Sequence, residues 1–271
     1  MKLNILVNTY LENGYSRALA ISRVCQDVIL SKISQSNFNR NVTVKGGVVM
    51  MAISKDRRRA TQDLDIDFIR YSLDDSSIKT FIEKLNDNDI KININEPIKQ
   101  LHHQDYDGKR VFIEISDNYG NTFETKLDIG VHKDMDVTQD ELCFDLGLDS
   151  KNVTLLANSK EQICVEKIKS LLKFGITTTR YKDVFDIYYL LSINNFNKIR
   201  FINYLDKIIF KDSIVDEKNL IEIKQSLNNI LSNKRFKSML NMAKNNWTEM
   251  PVETVISYII EFLNSLELVK I

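Results

Sequence analysis

The sequence predicts an α+β protein: a mixed β-sheet with flanking helices over residues 1–150, followed by a C-terminal helical bundle over residues 151–271. Three observations predict it. Glycine and proline are scarce, eight and two in 271 residues, so the punctuation of an all-β chain is missing and helix should dominate. Short alternating or β-branched segments gather between residues 41 and 131. From Ser159 almost to the end, the apolar spacing is helical.

The elements follow in order. Residues 15–35 carry Ala18, Ile21, Val24, Val28 and Ile29 on one helical stripe. Residues 41–45 read as a short strand, interrupted by Gly46-Gly47, and a helix begins over 48–53. Residues 64–69 alternate strictly, as a strand does. A helix is expected over 77–85. Strands are expected over 98–102, 111–115 and 123–131, with Gly108 and Asn118-Tyr119-Gly120-Asn121 as turns. Ser159 is placed to cap a helix, with Gln162 in capping-box position. Further helices are expected over 180–192, 197–211, 216–232, 235–245 and 252–268, the last with Pro251 in its first turn.

Composition narrows the function. A 43% hydrophobic and 27% charged chain is expected to be folded and soluble. Lys and Arg total 37, as do Asp and Glu, so no net field draws the chain to nucleic acid or membrane; any polyanion must meet local basic patches. Cys25, Cys143 and Cys164 are odd in number and widely spaced, which argues against disulfides or zinc. His102, His103 and His132 are the only histidines. No segment approaches a membrane span, and the apolar run at the start is too short for a signal peptide. A reducing cytoplasm is the expected location.

The strongest local feature is Thr61-Gln62-Asp63-Leu64-Asp65-Ile66-Asp67-Phe68. On a strand, Asp63, Asp65 and Asp67 share one face, and Leu64, Ile66 and Phe68 the other. Like charges on one face need water or a cation to screen them, and hard oxygen ligands suit Mg²⁺ or Mn²⁺. A solvated acidic face would give the same pattern. Upstream, Lys45-Gly46-Gly47 lets backbone N–H groups approach an anion ahead of a helix, although a plain tight turn is the alternative. Asp128, between apolar neighbours near a strand end, is the candidate third carboxylate; it could equally accept turn N–H bonds.

A second constellation lies further on. Lys167, beside Glu166, projects within or beside the stripe of Cys164, Ile168, Leu171 and Leu172, where a lysine needs an anionic partner; Lys169 and Lys173 read as solvated. Arg180, Asp183 and Asp186 are spaced three apart, as on one helical face. They form either a surface charge ladder or a clamp in which Asp183 or Asp186 orients Lys167 and Arg180.

Taken together, these segments resemble the AbiEii-type nucleotidyltransferase toxins, including the MenT group, of the DNA polymerase β-like nucleotidyltransferase superfamily. The resemblance is carried by Lys45-Gly46-Gly47, by Arg59-Ala60-Thr61-Gln62-Asp63-Leu64-Asp65, by Asp128-Ile129-Gly130, by Glu166-Lys167 and by Arg180-Tyr181-Lys182-Asp183-Val184-Phe185-Asp186, across residues 44–190. It implies a nucleotidyltransferase core over 1–150 and a helical domain that supplies phosphate-binding residues. It implies transfer of NMP from NTP to an RNA acceptor, tRNA in relatives, and an antitoxin that represses transcription without stably binding the toxin. In that scheme Asp63, Asp65 and Asp128 hold Mg²⁺ or Mn²⁺, Asp128 helps activate the attacking hydroxyl, and Asp183 is the second-domain catalytic aspartate. Lys45, Gly46, Gly47, Arg59, Thr61, Lys167, Arg180, Lys182 and Asp186 face the nucleotide. Val131-His132-Lys133-Asp134 departs from the family pattern after Asp128, and the gap between Gly47 and Asp63 is long.

Two other classes share parts of this pattern. A metal-dependent nuclease or phosphohydrolase also clusters carboxylates, but has no need of an NTP clamp. A non-enzymatic nucleic-acid-binding module could present Lys234, Arg235, Lys237, Lys244 and Trp247. An RNA-facing patch could likewise draw on Arg57, Arg58, Arg59, Lys169, Lys173 and Lys182.

Overall fold

The computed structural model describes residues 2–101, 108–147, 152–242 and 244–266. The chain divides into two units, Met1–Asn158 and Ser159–Ile271. His102 and His103, and the ends of the segments expected over 98–102 and 252–268, lie outside the described residues.

The first unit runs α1 (Leu3–Glu12), α2 (Arg17–Gln35), β1 (Val42–Lys45), α3 (Gly46–Ser54), β2 (Leu64–Phe68), α4 (Asp75–Lys84), β3 (Ile90–Ile94), β4 (Lys99–Leu101), β5 (Gly108–Asp117), β6 (Thr122–Val131), β7 (Asp140–Asp145) and β8 (Asn152–Ala157). The strands form one mixed sheet ordered β3-β5-β6-β2-β1-β8-β7, with β4 on the same edge of β5 as β3. The two central pairings that bring distant segments together, β2 with β6 and β1 with β8, are parallel. β1 is buried along its whole length, as a central strand should be.

Helix α2 starts at Ser16, whose hydroxyl accepts from the Leu19 N–H. It lays Val24, Val28 and Ile29, each at most 1% exposed, against the sheet. Burying each such side chain stabilises by about 1.5–3 kcal/mol. The back of β2 is held by rings: Phe68 meets Phe81 of α4 at 5.1 Å and Tyr71 at 5.0 Å, edge to face. At the sheet edge, the Asn86 amide accepts from Ile92 N–H (2.7 Å) and donates to Ile92 C=O (3.2 Å), while Asp87 Oδ1 accepts from Ile90 N–H (2.8 Å) and the Asp87 backbone N–H donates to Ile90 C=O (3.2 Å). Two side chains thus stand where a neighbouring strand would be.

Four elements differ from expectation. α1 buries only Leu3 and Val7, so its stripe is too short to read; it is anchored by the Leu3 N–H on Asp117 Oδ2 at 2.8 Å. β3 alternates cleanly but is short. β7 and β8 carry few β-branched residues, and β8 extends the sheet past residue 150. Gly108 begins β5 rather than making a turn.

The second unit is helical: α5 (Lys160–Phe174), α6 (Lys182–Ser192), α7 (Lys198–Leu205), which runs on through one π-helical stretch (Asp206–Phe210), α8 (Leu220–Ser232), α9 (Lys234–Leu240) and α10 (Val252–Ser265). Ser159, Asn197, Asn219 and Asn233 cap α5, α7, α8 and α9, each accepting from an N–H three residues on. Each cap contributes about 1 kcal/mol. Gln162 does not complete a capping box, because its amide turns to Glu166 Oε1 at 2.8 Å. Pro251 stands one residue ahead of α10, at its N-cap, rather than within the first turn. Lys169 is not solvated; it pairs with Asp212 at 2.8 Å.

Candidate active site

In the first unit the site is built on the ends of β1, β2 and β6. β1 ends at Lys45, and Gly46 turns the chain with φ +68° into α3. A Cβ on Gly46 would lie 2.5 Å from Asp65 Oδ2, and one on Gly47 would lie 2.8 Å from Thr61 Cβ. Only glycine allows both the left-handed turn and this approach.

Strand register brings Lys45 opposite Asp65, Asp65 opposite Asp128, and Asp128 opposite Arg110. Paired residues share a face. The result is a row across four strands with two acids at its centre and a base at each end. The expected alternation of β2 holds: Leu64, Ile66 and Phe68 are core and Asp65 and Asp67 point the other way. That other face is not a solvated one, since Asp67 is buried and Asp65 half-buried.

Each carboxylate has a distinct setting. Asp63, just before the strand and half-exposed, meets Lys126 Nζ at 2.7 Å. Asp67 meets the buried Lys45 Nζ at 2.6 Å. Asp128 receives a two-pronged bond from Arg110, Nε to Oδ1 and an Nη to Oδ2, both 2.7 Å. Burial pushes the Asp65 carboxyl up to about 6; Lys45 opposes this, and the charges of Asp128, Asp63 and Asp67 add to it.

A divalent ion suits this donor set. Asp65 stands among like charges that a cation would relieve, and Asp63, two positions earlier, would offer a second hard oxygen. Among the described residues, no three acidic, histidine or cysteine side chains converge to hold an ion by themselves. Mg²⁺ needs no such cage, since it binds through one or two carboxylates plus substrate phosphates. Asp128 can join only with oxygen lone pairs left over by Arg110.

The other residues expected here take varied places. Thr61 is half-buried against Gly47, and Arg59 is 5% exposed at the end of a 3₁₀ turn. The run Arg57–Arg59 is therefore not one basic surface: Arg57 donates to the Asn13 carbonyl at 2.6 Å and Arg58 clasps Asp56.

In the second unit, Lys167 on α5 meets Asp183 at 2.5 Å and Asp186 at 2.9 Å, both on α6. The Asp186 side chain is fully buried, and its Oδ1 accepts the Trp247 indole N–H at 2.9 Å. Lys167 thus has its anionic partners, and Trp247, 4% exposed, belongs to the core and not to a nucleic-acid surface. Arg180 does not share the α6 face. It is exposed in the preceding turn, where its carbonyl accepts from the Asp183 N–H, and Lys182 opens the helix.

Three contributors escaped sequence reading, Arg110, Lys126 and Gln26, and Trp247 reads as surface by sequence alone. Arg110 and Lys126 look like solvated strand residues until register is known. Gln26, on the buried side of α2, donates to the carbonyls of Thr61 and Asp63. It lies outside the helical stripe and left no local signal.

The mixed sheet, with a strand-borne carboxylate packed against a Gly-Gly turn, defines a nucleotidyltransferase-like α+β protein. No curated protein matches the chain significantly. The family model described as nucleotidyl transferase AbiEii toxin, type IV TA system, matches residues 28–250, and the chain belongs to that family of nucleotidyltransferase toxins. Among the described residues no helix is long and apolar enough to cross a membrane.

Proposed function

We propose that the chain moves a nucleoside monophosphate from an NTP to a hydroxyl of a tRNA-like RNA, using Mg²⁺ or Mn²⁺ held by Asp63 and Asp65. The observation that carries this reading is the cross-strand row Lys45-Asp65-Asp128-Arg110 beside the Gly46-Gly47 turn. The backbone N–H groups of that turn, at the start of α3, receive phosphate oxygens. When bound, the ion neutralises charge on the triphosphate. The acceptor oxygen attacks the α-phosphorus, the bond to the β-phosphate oxygen breaks, and pyrophosphate leaves. Asp128, held in place by the two-pronged bond from Arg110, takes the hydroxyl proton on a spare lone pair. Arg59 and Thr61 brace the turn.

In the second unit Lys167, Arg180 and Lys182 serve the phosphates, with Asp183 and Asp186 orienting Lys167. Family membership also supports a paired antitoxin, and we propose that it acts as a transcriptional repressor with no stable toxin complex. The test supplies Mg²⁺, each labelled NTP in turn and total tRNA. Transfer of label to RNA, lost in Asp63→Ala and Asp65→Ala, is expected; RNA cleavage that needs no NTP would instead mark a nuclease.

A further inference from the structure

We infer that Gln26 is a positioning residue for Asp63, acting through the backbone that leads into β2. The inference rests on the reading that Asp63 and Asp65 hold the divalent ion. Gln26 lies on α2 and is 1% exposed. Its amide nitrogen donates to the carbonyl oxygens of Thr61 at 2.9 Å and Asp63 at 3.3 Å. No strand pairing covers residues 60–63 among the described residues, so a side chain supplies the donors that a sheet neighbour supplies further along.

The amide is held by its donor end alone. Its carbonyl oxygen is shut off from solvent and accepts no hydrogen bond among the described residues. A buried polar atom left unpaired is destabilising, so the acceptor end of this amide carries a cost that its two donated bonds offset. What the glutamine does accomplish is geometric. Thr61 packs against Gly47, so one amide sets both the flank of the Gly46-Gly47 turn and the point from which Asp63 projects. Groups that orient a metal ligand, when removed, weaken metal binding by about 10–100-fold.

The test is Mn²⁺ binding to the full chain, followed by electron paramagnetic resonance, for wild type, Gln26→Met, Asp63→Ala and Val24→Ala. Methionine keeps the length of the side chain and loses the donors. Val24→Ala removes core volume from the same helix. Gln26→Met is expected to weaken Mn²⁺ binding about 10-fold, while Val24→Ala, at comparable or greater thermal destabilisation, leaves it unchanged. Wild-type affinity in Gln26→Met, with binding lost in Asp63→Ala, overturns the inference and leaves the metal assignment standing. An equal loss in Val24→Ala also overturns it. Undiminished binding in Asp63→Ala overturns the metal assignment and the inference with it. Should Gln26→Met fail to fold, Gln26→Asn, whose amide is retracted by one methylene, takes its place with the same outcomes.

Discussion

Replacing Lys167 by methionine tests how the second unit is held together. The ammonium touches Asp183 at 2.5 Å and Asp186 at 2.9 Å, with only 11% of its own side chain exposed. Methionine fills the stem's volume, so the change is mainly one of charge. It takes the Lys167 ammonium away from Asp186, which is fully buried and also accepts the Trp247 N–H. Breaking a buried pair from one side costs about 3–5 kcal/mol. Unfolding entropy is about 2.1 cal/mol/K per residue. For a unit of roughly 110 residues melting alone, the loss lowers Tm by about 13–22 °C. If the whole chain melts together, the fall is about 5–9 °C. Calorimetry at neutral pH distinguishes the two. Acidification should narrow the gap from wild type, because a buried carboxylate that has lost its ammonium can take a proton. Adding Asp186→Asn should recover much of the loss. A Tm within about 2 °C of wild type for Lys167→Met would refute the reasoning, because the pair would then be no more than a surface contact.

Further outcomes follow from other sites. Gly46→Ala puts a Cβ 2.5 Å from Asp65 Oδ2 at φ +68°, so it should cost about 1–2 kcal/mol in a denaturant melt and reduce nucleotidyl transfer by more than about 10-fold. Burial raises the Asp117 carboxyl, but bonds from Asn121, Leu3 and Tyr119 outweigh it and hold the group below the usual range. Its folded value is thus below its unfolded one, so the stability it contributes is present above about pH 4 and lost as pH falls further. Asp117→Asn should flatten that part of a Tm–pH curve. Cys143 is exposed, whereas Cys25 is buried with its thiol pushed up to about 12 and Cys164 is buried with its thiol also raised. A maleimide should therefore label one thiol in the native chain and three in denaturant, read by mass.

Much of this was legible residue by residue. The alternation of residues 64–68 placed three apolar side chains inward and Asp65 and Asp67 outward, and Ser159 announced the start of the helical unit. The paired glycines marked the turn from β1 into α3. What could not be read was the company these groups keep. Asp128 finds Arg110 because β5 and β6 pair in one register, and Asp63 finds Lys126 because β2 lies parallel to a strand some sixty residues later. Such contacts depend on topology, and no local window contains both partners. Trp247 likewise looked like part of a basic surface, because its hydrogen-bond acceptor, Asp186, is 61 residues away.

The side chains at the β3 border have a meaning beyond this one fold. Asn86 and Asp87 occupy the hydrogen-bonding groups of Ile92 and Ile90, so an incoming polypeptide would have to evict both before its own main chain could dock there. A protein with four isoleucines within residues 90–98 would otherwise offer a template for stacking. Asparagine and aspartate act here as a terminus, keeping the sheet finite at high local concentration without lengthening the chain.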